Sequence, residues 1–348
     1  MISKIQAKRA YQPGKNSLKV RTIDMHTGGE PLRIVMDGYP DIKASSLLEY
    51  RRILKEKYDH LRTAIMHEPR GHADMYGCLL LPPFNSEADL SVIFMHNEGY
   101  STMCGHAIIA LTTLAVKMEW VEVINGEAHL TIEAPCGLIQ AKATIINNHI
   151  HASFHCVPSF VIGLDYSVDV PNYGKVVYDL AYGGAFYAYV KSDQLRLDLT
   201  PSNYKRIIEA GMAIKHAVMK SNPSIAHPFE SDLSFLYGTI FIGGPVTKGI
   251  DSRNVCVFAD GEVDRSPTGS GVSGRMAIHY KKGEIALDQK MTIESITGAV
   301  FVGSVVSLLA YGDREAVIPC VEGTAYVTGQ HEFIIDPEDP FTHGFFFR

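Results

Sequence analysis

Paired cysteines, long apolar runs and a net positive charge are all missing from this 348-residue chain. The six cysteines, Cys78, Cys104, Cys136, Cys156, Cys256 and Cys320, are scattered and form no CxxC pair. That spacing argues against a disulfide framework or a zinc cluster and for a reducing, cytoplasmic setting. The longest apolar runs, 108–116 and 299–311, are interrupted by Thr, Ser or Gly. They fall short of the roughly 20 residues a membrane span needs. A formal net charge of −6 gives no basic field for nucleic acid or anionic lipid. No apolar signal core is present, and no acid precedes Asp24, while Lys4, Lys8, Arg9, Lys15 and Lys19 make that segment basic. A mitochondrial presequence would also be basic, but this one lacks Ser richness and an apolar face, so residues 1–19 read as a solvated arm.

What is present is an ordinary globular composition, 46% hydrophobic and 20% charged, on a chain long enough for two domains. Strand-like patterns recur at 20–23, 32–36, 79–81, 90–94, 129–133, 138–146, 149–155, 176–180, 186–190, 255–258, 291–293 and 300–308. Helical patterns are fewer: 46–57 extending to 66, 105–118, 203–219 and 271–281. Runs of strands with isolated helices imply an α+β fold rather than a doubly wound parallel sheet.

The chain also repeats itself. Thr27-Gly28-Gly29 before a strand matches Tyr182-Gly183-Gly184, 155 positions later. Cys104-Gly105 before an amphipathic helix matches Thr268-Gly269, at an offset of 164, and the segment 131–138 matches 292–299, at an offset of 161. Three anchors in one order imply two similar domains. Binding sites favour the cleft between domains, so the two helix-opening loops are expected to face each other there. Helix starts expose free N–H groups and partial positive charge, and two of them aimed at one cleft make a carboxylate clamp. Cys104, at such a start, is expected to have its thiol pKa lowered and to serve as a base; the alternative is a small core residue. His106 is a further ligand or acid candidate, and Asp264 one that caps or polarises its loop.

Three other motifs carry less. Gly269-Ser270-Gly271-Val272-Ser273-Gly274 spells GxGxxG, but it does not follow a strand directly or sit in a βαβ unit, which argues against a nicotinamide or flavin site. Ser270 lies in no GxSxG elbow. His67 and His72 are five apart with Pro69 between them, which argues against a zinc helix.

The segments Asp24-Met25-His26-Thr27-Gly28-Gly29-Glu30-Pro31, Glu68-Pro69-Arg70-Gly71-His72, His96-Asn97-Glu98-Gly99-Tyr100, Met103-Cys104-Gly105-His106, Tyr182-Gly183-Gly184-Ala185-Phe186 and Asp264-Arg265-Ser266-Pro267-Thr268-Gly269-Ser270-Gly271 strongly resemble the proline racemase family. The likeness runs from about Val20 to the C-terminus. It implies a diaminopimelate-epimerase-like fold: two pseudo-symmetric domains, each a curled sheet around a central helix, with the site between them. The expected boundaries are 20–174 with a C-terminal return over 325–348, and 175–324.

Racemases and hydroxyproline epimerases of the family carry a cysteine on both loops, whereas this chain has Cys104 and Thr268. That combination resembles the family's dehydratases and implies conversion of trans-3-hydroxy-L-proline to Δ1-pyrroline-2-carboxylate without cofactor or metal. The alternatives are a racemase or hydroxyproline 2-epimerase, and a non-catalytic imino-acid-binding protein. Carried over residue by residue, the resemblance implies that Cys104 and Thr268 are catalytic. Gly105, His106, Gly269 and Ser270 would bind the substrate carboxylate, Asp264 would hold the ring ammonium or polarise the catalytic group, and Tyr76 and Phe258 would form the wall. It also implies a homodimer.

Overall fold

The computed structural model describes residues 11–221 and 225–347, so most of the basic arm, residues 1–10, lies outside the described residues. Strands β1 (Leu18–Thr27) and β2 (Glu30–Asp37) form an antiparallel hairpin. Its turn is Gly28-Gly29, at φ values of 62° and 89° that glycine adopts without strain. Helices α1 (Leu47–Lys57) and α2 (Asp59–Met66) lead to β3 (Tyr76–Leu81), parallel to β2. The antiparallel β4 (Leu90–His96) and β5 (Tyr100–Ser101) then feed α3 (Gly105–Lys117). Strand β6 (Glu127–Ala134) runs parallel to β4, and β7 (Gly137–Ile146) and β8 (His149–His155) complete a meander.

The second half repeats this order. Strands β9 (Phe160–Val170), β10 (Gly174–Tyr182) and β11 (Phe186–Lys191) are antiparallel neighbours. Helix α4 (Tyr204–Lys220) leads to β12 (Leu236–Gly243), parallel to β11. Strands β13 (Ser252–Phe258) and β14 (Glu262–Val263) feed α5 (Gly269–Lys281). Strand β15 (Met291–Glu294) is parallel to β13, and β16 (Val300–Tyr311) and β17 (Arg314–Gly323) close the meander. Finally β18 (Ala325–Ile335) returns to β1, taking the position against β1 that β9 holds against β10. Each half is thus a mixed sheet with one helix inside it, and β8 pairs with β17 to join them.

Those two central helices are not amphipathic, as their sequences suggested. Helix α3 is buried from Gly105 to Ala115 and α5 from Gly269 to Ile278. A helix surrounded by sheet needs no polar face. Polar groups on α5 are matched internally: Arg275 donates to Asn254 Oδ1 at 2.8 Å and Ser252 Oγ at 2.7 Å. The helical segment expected over 46–66 is two helices, broken at Tyr58, whose φ of −128° and ψ of 15° leave the helical region. Six strands, β5, β9, β12, β14, β17 and β18, have no counterpart in the strand-like patterns. Gly238 obscures β12, yet the strand needs it, because a Cβ there would lie 2.4 Å from Val257 O. No helix among the described residues is long and apolar enough to cross a membrane.

Candidate active site

The starts of α3 and α5 touch. A Cβ on Gly105 would lie 2.5 Å from Gly269 Cα, and one on Gly269 would lie 2.6 Å from Gly105 Cα. Only glycine lets the two helix termini come this close. The first intrahelical bonds are donated by Ile108 to Cys104 O and by Val272 to Thr268 O. The N–H groups of Gly105, His106, Gly269 and Ser270 therefore have no partner within their helices.

A cleft of about 270 Å³ surrounds this junction, lined by Tyr76, Cys104, Gly105, His106, Phe258, Asp264, Thr268, Gly269 and Ser270, and also by Met103, Tyr187 and Tyr237. The first nine are the residues the sequence singled out. No lysine or arginine lines it. Positive charge there comes from the helix starts, and negative charge from Asp264.

Cys104 and Thr268 occupy equivalent N-cap positions, and neither uses its side chain as a cap. Both are 5% exposed. Cys104 Sγ lies 3.2 Å from His106 Nδ1. The expectation of a lowered thiol pKa is overturned. Burial pushes Cys104 well above its ordinary value and Asp264 adds to the rise, while the Ala107 N–H and the Tyr76 hydroxyl pull the other way. A helix start acts locally, whereas desolvation depends on the whole closed fold. Burial also lowers the His106 pKa to about 3, so its imidazole is neutral, with a ring N–H given to the Pro31 carbonyl.

Thr268 has φ 66°, an outlier for a β-branched residue. A ladder of bonds holds it there. Ser266 N–H donates to Asp264 Oδ1 at 2.7 Å, Thr268 N–H to Ser266 Oγ at 3.1 Å, and Asn254 Nδ2 to Pro267 O at 3.2 Å. Thr268 Oγ1 itself is buried with no well-formed hydrogen bond, although Asp264 and Cys256 lie within its influence. Strain held at a site by surrounding bonds, beside an unpartnered hydroxyl, marks a group placed for a ligand. Burial pushes the Asp264 carboxyl up to about 6.

Contacts between the halves seal the cleft. Thr102 Oγ1 donates to Gly184 O at 2.8 Å, Arg265 pairs with Asp74 at 2.6 Å, and His96 approaches Glu262 at 3.3 Å. Arg265 N–H donates to buried Glu30 at 2.7 Å. Sequence reasoning missed Met103, Tyr187, Tyr237, Glu30 and Arg265 as site-forming residues. Met103, Glu30 and Arg265 sat inside quoted motifs, and Tyr237-Gly238 near the start of β12 repeats Tyr76-Gly77 at the start of β3, so the repeat was the available signal. Among the described residues no cluster of three or more His, Cys, Asp or Glu could hold a metal ion.

The family model described as proline racemase matches residues 22–346. The chain belongs to the proline racemase family. It is 47% identical over 332 residues to a trans-3-hydroxy-L-proline dehydratase from Colwellia psychrerythraea, covering 95% of this chain and 93% of that protein. It is 46% identical over 346 residues to a trans-3-hydroxy-L-proline dehydratase from Homo sapiens, covering 97% of each. A hydroxyproline epimerase structure from Agrobacterium vitis, with bound trans-4-hydroxy-L-proline, superposes with a TM-score of 0.87 at 29% identity, covering 94% of this chain and 96% of that one. The α+β, diaminopimelate-epimerase-like arrangement expected from the family resemblance is therefore the fold of this chain.

Proposed function

We propose that this protein dehydrates trans-3-hydroxy-L-proline to Δ1-pyrroline-2-carboxylate. The observation that carries the proposal is a cleft with one thiol: Cys104 on one helix start and Thr268 on the abutting one, in a chain 46–47% identical to dehydratases over nearly its whole length.

The substrate carboxylate docks on the N–H groups of Gly105, His106, Gly269 and Ser270. Its ring ammonium faces Asp264 and supplies the cation that the cleft walls lack. Tyr76 and Phe258 hold the ring. Cys104 removes the Cα proton. His106 Nδ1, neutral and 3.2 Å from the sulfur, orients it, and the substrate ammonium, a positive charge entering the cleft, favours the thiolate that burial disfavours in the free protein. The carboxylate clamp and a dry cleft stabilise the carbanion-like centre, so the reaction needs no cofactor. A threonine hydroxyl ionises near the value of water, about 15, and is neither a useful acid nor base at neutral pH. Two-face exchange at Cα, which racemisation requires, is thereby blocked. Elimination proceeds because the Cα hydrogen and the C3 hydroxyl of trans-3-hydroxy-L-proline share one ring face. The resulting enamine tautomerises to the imine.

The domain boundaries 20–174 with 325–348, and 175–324, belong to the same proposal, supported by the repeated strand pairing. So does a cytoplasmic setting, supported by six free cysteines. The test is incubation with trans-3-hydroxy-L-proline, its cis isomer and 4-hydroxyproline, with assay for pyrroline carboxylate. Only the first is expected to yield it, and Cys104→Ser is expected to lose turnover while still binding substrate. Formation of D-proline from L-proline by the unaltered protein would overturn the assignment.

A further inference from the structure

Loss of hydroxide from C3 needs a proton donor, because hydroxide is a poor leaving group. The cleft offers few candidates. Thr268 belongs to the opposite half, and Asp264 is taken by the substrate ammonium. The neutral His106 ring gives its proton to the Pro31 carbonyl. Tyr187, whose Oη meets Ser270 Oγ at 2.8 Å, stands like Thr268 on the opposite half. Tyr76 and Tyr237 remain. Both are buried, and their hydroxyls lie within each other's influence over the cleft. Tyr237 stands on the opposite half as well, whereas Tyr76 comes from β3 on the Cys104 side, and its hydroxyl is held by a short contact to buried Ser101 Oγ.

We propose that Tyr76 is the acid that protonates the departing C3 hydroxyl, taking its replacement proton from Cys104. This rests on the dehydratase reading above. The Cα–H bond breaks, its proton going to Sγ and its electron pair forming the Cα=C3 bond. The C3–O bond breaks with its pair on oxygen, which takes the phenol proton and leaves as water. The thiol proton then passes to the phenolate, restoring thiolate and phenol. The relay stays on one ring face, where the Cα hydrogen and C3 hydroxyl both lie.

The test compares Tyr76→Phe with the unaltered full chain in three reactions. These are dehydration of trans-3-hydroxy-L-proline, fluoride release from trans-3-fluoro-L-proline, and solvent deuterium entry at Cα of L-proline. Fluoride leaves without a proton, and deuterium entry has no leaving group. Dehydration is expected to fall by about 10²-fold or more in kcat, with KM little changed. The other two reactions are expected to persist. Ser101→Ala, which removes the partner holding the phenol, is expected to lower dehydration selectively by a smaller factor. Equal loss in all three reactions would make Tyr76 merely structural, and undiminished dehydration would make it a wall; either result overturns the proposal. Failure of the unaltered protein to dehydrate trans-3-hydroxy-L-proline, with deuterium entry intact, overturns the dehydratase reading itself.

Discussion

Gly105→Ala tests the clamp by adding a single methyl group. Its Cβ would lie 2.5 Å from Gly269 Cα, 2.9 Å from Gly269 C and 3.0 Å from the Phe154 ring. Carbon atoms settle at about 3.5–4.0 Å, so the two helix starts must separate by about 1 Å or more. Neither can yield easily, since both helices are encased in their own sheets. The displaced groups are the proposed carboxylate donors and the two proposed catalytic caps, and a misplacement of that size costs roughly 10²-fold in rate. Helix propensity works in the opposite direction, because alanine is favoured over glycine by about 1 kcal/mol inside a helix. The measurement is kcat/KM for dehydration, with urea unfolding as a control. The expected result is a loss of about 10²-fold in a protein that still folds. A variant with near-normal kcat/KM would show that the junction does not position substrate, and the clamp argument would fail.

Asp264→Asn is expected to abolish turnover while stabilising the fold. The Asp264 carboxyl is pushed up to about 6 from 3.8. The folded protein therefore binds this proton more tightly than the unfolded chain, and stability falls as pH rises between about 4 and 6, then levels off. The ionised side chain costs the folded state roughly 3 kcal/mol, and urea unfolding across this range should show the asparagine variant free of that slope. Thr268→Cys is expected to open a second proton route and yield D-proline from L-proline, read by chiral chromatography; no D-isomer would contradict the one-thiol argument. Arg265→Met leaves buried Asp74 without the charge it meets at 2.6 Å. It is expected to destabilise the protein by about 3 kcal/mol, measured by denaturant midpoint.

The sequence disclosed the two loops because their chemistry is local. A glycine after a polar cap at a helix start announces itself, and the same pattern 164 positions later announces a repeat. Tyr237 was hidden because it sits on β12, whose glycines break the strand pattern. The Cys104 thiol was read in the wrong direction for a related reason. The helix start is visible in the sequence, but the closure of one half over the other is not, and closure sets the desolvation. Tyr58 ended a helix that its neighbours would have continued. No local residue type signalled that break.

In a duplicated frame, chemistry depends on where the copies differ. The backbone donors of the two loops are equivalent, so substrate can be held from both sides alike. The side chains are not: Cys104 with His106 stands against Thr268 with Ser270. One side has a sulfur and a neutral imidazole 3.2 Å apart, while the other has two hydroxyls, one of them engaged by Tyr187. Asp264 and the strained backbone at Thr268 lie on the second side as well. The proposed mechanism accordingly confines proton movement to the first half and leaves charge and shape to the second. A cleft built this way favours substrates that lose a group from the face where the proton is taken.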